Sequence, residues 1–234
     1  MAHGLDQAPG VTAGQAPAGR FIVLEGPDGA GKSAQATMLA ERLARRGYPV
    51  TLTREPGGTR LGEQVRALLL DPSDVARGPM ADALLFNAAR AQLLAEVIRP
   101  ALHRGDVVVC DRYATSTLAY QGYGSGLDRD TLRTIQAWVT GGLQPDLVVV
   151  LDVPVDVGLA RRDAGRTEEL TRFEDGERHD LAFHQRVRAG YHEMAAADPR
   201  RWVVIDGSGS LEQVADEVGR VVEAALEAGR GRGG

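Results

Sequence analysis

The chain reads as a three-layer α/β domain built on a parallel sheet with a phosphate-binding loop, and two observations predict it. Short Val-rich runs, FIVLE (21–25), VTLT (50–53), VVVC (107–110), LVVVLDV (147–153) and WVVID (202–206), alternate with helical patterns. Apolar runs without alternation are strands covered on both faces, and the helices between them supply parallel crossovers. The second observation is GPDGAGKS (26–33), which follows the first run directly and opens a helical pattern. It matches G-x-x-x-x-G-K-[ST] in the strand-to-helix setting that motif requires.

Taken in order, residues 1–19 are rich in Ala, Gly and Pro and lack the basic start and apolar block of a signal peptide, so they read as a disordered tail. Leu39 and Leu43 share a helix face that ends at Gly47. Leu61, Val65, Leu68 and Leu69 mark a second helix, and Leu84, Leu85 and Ala88 a long third one ending near Pro100. Phe183, Val187, Tyr191 and Met194 form a further stripe. Ser210 with Gln213 is a capping box opening a last helix through Leu211, Val214, Val218 and Val221. One domain over 20–228 and a frayed end at 229–234 complete the reading.

Composition narrows the function classes. With 43% apolar residues the 234-residue chain can bury one substantial core, and a net charge of −5 speaks against a polybasic nucleic-acid or membrane-surface binder. Phosphate affinity must therefore come from a few placed cations. A single cysteine, Cys110, allows no internal disulfide, and no stretch has the roughly 20 apolar residues of a membrane span, so a reducing cytoplasm is expected. The five histidines show no ligand spacing.

In the loop Gly26, Pro27, Asp28, Gly29, Ala30, Gly31, Lys32 and Ser33, the glycines let the backbone turn toward a polyphosphate. Lys32 reaches the outer phosphates and Ser33 can ligate Mg²⁺. Asp111 closes a strand at the sheet edge where such folds bind ligands, so it is either a partner to the same metal or a helix N-cap. Arg54, Arg90 and Arg112 lie on that edge.

Together EGPDGAGKS, TREPGGT, LLFNAARAQ, CDRYATSTLAYQG and PDLVVVLDV resemble the bacterial thymidylate kinases over about residues 20–228. The resemblance implies transfer from ATP to dTMP with Mg²⁺, a homodimer, and a five-stranded sheet of order 2-3-1-4-5. It implies that Asp28 meets the deoxyribose 3′-OH, that Arg54 and Arg112 hold the acceptor phosphate with Arg66 nearby, and that Glu55 lies in the acceptor pocket. Phe86 corresponds to the aromatic that stacks on thymine, the alternative being a core Phe; Arg90, Thr117 and Gln121 correspond to residues around the base edge. Arg90 only donates, so it would suit the 4-carbonyl of thymine and not the amino group of cytosine. A cis Glu55–Pro56 bond is also implied.

The polar stretch at about 161–180 lies where these kinases have a lid. The phosphate loop carries no arginine, so the lid is expected to supply charge to the transferred group through Arg166 and Arg172, with Arg161 and Arg162 in reserve. Where the family often has Asp-Arg, an apolar residue and Glu, this chain has Thr171, Arg172, Phe173 and Glu174. The competing expectations are a kinase for another nucleoside monophosphate and a non-catalytic ATP-binding switch.

Overall fold

The computed structural model describes residues 19–70, 77–164 and 181–230. Five strands, β1 (Arg20–Glu25), β2 (Val50–Arg54), β3 (Val107–Asp111), β4 (Leu147–Asp152) and β5 (Trp202–Asp206), form one parallel sheet. Its order is β2-β3-β1-β4-β5, as the resemblance implies. β1 lies at the centre, with Leu24 opposite Asp111 of β3 and Glu25 opposite Val150 of β4.

Alternate side chains of the central strands feed two cores. Ile22, Leu24, Val149 and Leu151 pack under α1 (Lys32–Arg45) and α9 (Leu211–Arg230) through Leu39, Leu43, Val218 and Val222. Phe21, Val23, Val108 and Cys110 pack on the other face against Leu93, Ile98 and Leu102. This period of two is what a strand covered on both faces requires. The capping box forms at α9: Gln213 N–H donates to Ser210 Oγ at 3.2 Å and Ser210 N–H to Gln213 Oε1 at 2.9 Å. α9 continues to Arg230, inside the stretch expected to fray. Gly19, expected in the tail, is buried, its N–H donating to Leu102 O at 2.8 Å.

Two helices differ from the expectation. The third does not stop near Pro100: α3 (Pro79–Leu93) runs through a π-helical turn, Leu94–Ile98, into α4 (Arg99–Arg104). Proline removes one helical donor and crowds the carbonyl four residues back, and the widened turn before it takes up that misfit. In α2 (Arg60–Leu70), Val65 and Leu69 are buried, but Leu61 and Leu68 are exposed. In α3 the buried face carries Ala83, Asn87, Arg90 and Leu93, while Leu84 and Ala88 lie on the surface.

The remaining helices surround the carboxyl edge of the sheet. A short α5 (Ala114–Thr117) leads into a π-helical segment, Leu118–Gly124, and α6 (Arg129–Thr140) follows, capped by Asp128, which accepts from Thr131 N–H at 2.8 Å. α6 buries only Leu132, Gln136 and Thr140, so its pattern carries little apolar signal. α7 (Val155–Ala164) takes in the first residues of the expected lid, and α8 (Leu181–Ala197) begins after it. The rest of the expected lid, 165–180 with Arg166 and Arg172, lies outside the described residues, as do positions 1–18.

α7 touches the phosphate loop backbone to backbone. A Cβ added at Gly158 would fall 2.5 Å from Asp28 O, and one at Gly29 1.8 Å from Gly158 O. Both positions therefore need glycine. Gly158→Ala is expected to cost about 1–3 kcal/mol by overpacking, read as a lower urea midpoint with an unchanged slope.

Candidate active site

The phosphate loop leaves β1 at Gly26 and enters α1 at Lys32, with positive φ at Gly26, Gly29 and Gly31. Gly31 itself caps α1 in the left-handed region. Lys32 is buried, and its Nζ donates to Pro27 O at 2.7 Å. Burial first, then the nearby Arg112 guanidinium, lower its pKa to about 8. Ser33 Oγ donates to Asp111 Oδ2 at 2.5 Å, while Asp111 Oδ1 is buried without a hydrogen-bond partner among the described residues.

Beside the loop lies an open cavity of about 260 Å³. Its walls come from the segments that follow β1, β2, β3 and β4. Glu55, Pro56 and Arg66 form one side, and Phe86 and Arg90 of α3 another. Arg112, Ser116, Thr117, Tyr120 and Gln121 line the side after β3. Asp28 joins the cavity to the phosphate loop, and Arg162 and Phe183 complete its lining.

Arg112 is the centre of the charged network. It is the one non-glycine residue with positive φ, 69°, among the described residues. A conformation of that kind costs on the order of 1–3 kcal/mol and persists only where contacts enforce it. Here its N–H donates to Leu24 O at 2.9 Å, and Nη2 donates to Asp28 Oδ1 at 2.5 Å and Tyr120 Oη at 3.0 Å. The guanidinium also lies over the Tyr120 ring, 4.9 Å from its centroid. Burial alone would raise the Asp28 pKa, but Arg112, Lys32 and the Tyr120 hydroxyl hold it down to about 2.

Arg90, 1% exposed, is held from several sides: Nε and Nη2 pair with Glu55, Nη1 donates to Asn87 Oδ1, and Nη2 donates to Tyr113 O and Thr117 Oγ1. Of five guanidinium N–H groups these contacts leave one on Nη1. Glu55, almost fully buried, is pushed up to about 7 by burial, against the pull of Arg90, with Glu25 adding to the rise. The Glu55–Pro56 peptide bond is cis. Arg66 Nη1 donates to Pro56 O at 3.0 Å, and the side chain lines the cavity.

The structure thus brings Asp28, Glu55, Arg66, Phe86, Arg90, Arg112, Thr117 and Gln121 to one cavity. It does not bring Arg54, which is half exposed and paired with both carboxylate oxygens of Glu63 at 2.9 and 3.0 Å. Of the reserve arginines, Arg162 lines the cavity, whereas Arg161 donates to Gly207 O and Ser208 O at 2.6 and 2.9 Å. The sequence reading gives no site role to Glu25 and Tyr120 and places Phe183 and Tyr191 only in a helical stripe. Glu25 had a signal: a carboxylate closing an apolar strand just before the loop glycine must find buried donors.

Residues 24–218 match the sequence profile of the thymidylate kinase family. A thymidylate kinase of Thermomicrobium roseum is 52% identical over 210 residues, covering 90% of this chain and 97% of the relative. One of Roseiflexus sp. (strain RS-1) is 50% identical over 216 residues, covering 88% and 94%. The crystal structure of thymidylate kinase from Ehrlichia chaffeensis superposes with a TM-score of 0.71 at 33% identity, over 87% of this chain and 98% of that one. A chain that folds its phosphate loop against such a cavity, matches the family profile over most of its length and shares about half its residues with two of these relatives belongs to the thymidylate kinase family.

Proposed function

We infer that this chain transfers the terminal phosphoryl group of ATP to dTMP, giving ADP and dTDP. The observation that carries the reading is the seam between the two sites: the cavity walled by Phe86, Arg90 and Gln121 opens onto the Asp28–Arg112 pair at the tip of the phosphate loop. A monophosphate whose base sits against Phe86 would carry its phosphate toward Arg112, facing a triphosphate held by Lys32. In-line phosphoryl transfer depends almost wholly on such positioning and on charge compensation.

Each residue then has a task. Lys32 and the loop backbone hold the donor phosphates, Arg112 with Arg66 holds the acceptor phosphate, and Asp28 accepts from the sugar hydroxyl. Arg162 supports Arg166 and Arg172 as the cationic supply of a lid at about 161–180. Arg54 can join the acceptor phosphate only by leaving Glu63. Mg²⁺ fits Ser33 and Asp111, because the unpartnered Asp111 Oδ1 is a buried oxygen lacking a cation or donor. Bound there it would neutralise donor phosphate charge. The buried Cys110 thiol, donating to Arg112 O, suits a cytoplasmic setting.

A homodimer is also proposed. α2, α3 and α6 pack side by side, and each leaves a large apolar side chain exposed: Leu61 and Leu68, Met80 and Leu84, and Trp138, which is 86% exposed. Sedimentation should give a dimer for the native chain and a monomer for Leu84→Glu; a native monomer at micromolar concentration rejects the proposal.

ADP release measured with each monophosphate in turn tests the reaction. Turnover should require dTMP, and ATP hydrolysis at the same rate without acceptor would favour a switch module instead. The remaining Arg90 Nη1 hydrogen can only donate, so kcat/KM for dCMP should fall by about 10⁴ relative to dTMP. Loss of one methyl should cost dUMP only about 10- to 200-fold.

The Lys32 ammonium loses its proton in the free enzyme as pH rises through about 8, and bound polyphosphate would restore it. It follows that kcat/KM for ATP should fall between pH 7 and 9.5 while kcat holds to higher pH. Lys32→Arg stays charged, so that inflection should vanish at lower overall activity.

A further inference from the structure

Glu25 takes no part in the chemistry above, yet it is wholly buried at the end of β1, next to the first glycine of the phosphate loop. Its Oε1 accepts from Tyr113 N–H at 3.0 Å and Thr115 Oγ1 at 2.6 Å. Its Oε2 accepts from Ser116 Oγ at 2.7 Å and Tyr191 Oη at 2.8 Å. The last two oxygens lie 3.1 Å apart, and both face Arg112 Nη1, at 3.2 and 3.4 Å. Hydroxyls that give their protons to a carboxylate present lone pairs to the guanidinium, and chains of this kind strengthen one another.

The arrangement ties three elements together. Glu25 belongs to the strand that launches the phosphate loop, and Ser116 to the turn after Arg112. Tyr191 comes from α8, whose first turn places Phe183 in the acceptor cavity. α8 cannot slide freely. Arg188 is bidentate to Asp152 at 2.7 Å for both bonds, and the bare Gly190 admits the Tyr123 ring, where an added Cβ would lie 2.6 Å away.

We propose that Glu25, acting through Ser116 and Tyr191, is a positioning residue that holds Arg112 in its left-handed backbone conformation with its guanidinium aimed at the acceptor phosphate. This rests on the reading that Arg112 binds that phosphate. Glu25 itself touches no substrate. Its carboxylate supplies four acceptor bonds, and only a residue with two anionic oxygens can receive all four.

The test is a double-mutant cycle read in dTMP kinetics, with Tyr191→Phe as the mild change and Arg112→Lys as its partner. Tyr191→Phe should lower kcat/KM for dTMP about tenfold, the size of one hydrogen bond to a charged group. KM for ATP should stay within about twofold, and the same change made in Arg112→Lys should cost less than about twofold, because the group it positions is gone. Glu25→Gln, which replaces an acceptor oxygen by a donor, should cost about 10² through misplacement. Should that variant fail to fold, Tyr191→Phe still decides. No loss from Tyr191→Phe, or an equal loss in both backgrounds, overturns the proposal even if the melting temperature falls. Absence of dTMP turnover in the native chain overturns the functional reading as well, and thus separates the two failures.

Discussion

The parallel pairing of β1 with β3 is the constraint on which the rest of the site depends. It sets Leu24 opposite Asp111, so the phosphate loop and the Asp111–Arg112 turn leave adjacent strands at one edge. Arg112 N–H extends that ladder by donating to Leu24 O, and Ser33 reaches across to Asp111. Side chains alternate along a strand, and a slip of one residue would exchange their faces. Cys110, now packed with Phe21 and Val23, would then stand where Asp111 faces Ser33.

Around this seam the protein buries more charge than a stable core would choose. Lys32, Glu25, Glu55, Arg90 and Asp111 are all nearly inaccessible. Pairs such as Arg90–Glu55 add little net stability over apolar packing, although removing one partner leaves a costly lone charge. Their value lies in geometry. Each guanidinium is held by several acceptors at once, so its remaining face is presented to the cavity in one orientation.

The central strands β1, β3 and β4 are legible in the sequence because they are short apolar runs buried on both faces, while the edge strands β2 and β5, which leave Leu52 and Val204 exposed, still carry the β-branched residues of a strand. The phosphate loop and the Ser210–Gln213 box were equally local, since each is decided by residues within a few positions. α2 and α3 show the limit. Leu61, Leu68 and Leu84 satisfy helical periodicity but lie on an open surface, while Asn87 and Arg90 occupy the buried face of α3 because that face borders the cavity. α6 was missed for the converse reason: its buried side carries Gln136 and Thr140, and its most conspicuous apolar residue, Trp138, points outward.

Residue order alone sets the fold class, the strand positions, the phosphate loop and, through its motifs, eight of the residues that meet in the cavity. Those are matters of local pattern and of chemistry tied to short spacings. Tertiary packing alone turns Arg54 to Glu63, brings Arg162 rather than Arg161 to the cavity, and links Glu25 to Arg112 through Ser116 and Tyr191. The physical reason is separation along the chain. Contacts between Glu25, Ser116 and Tyr191 join β1, the turn after β3 and α8, and a pairing made across three crossovers leaves no periodicity in any one segment to announce it.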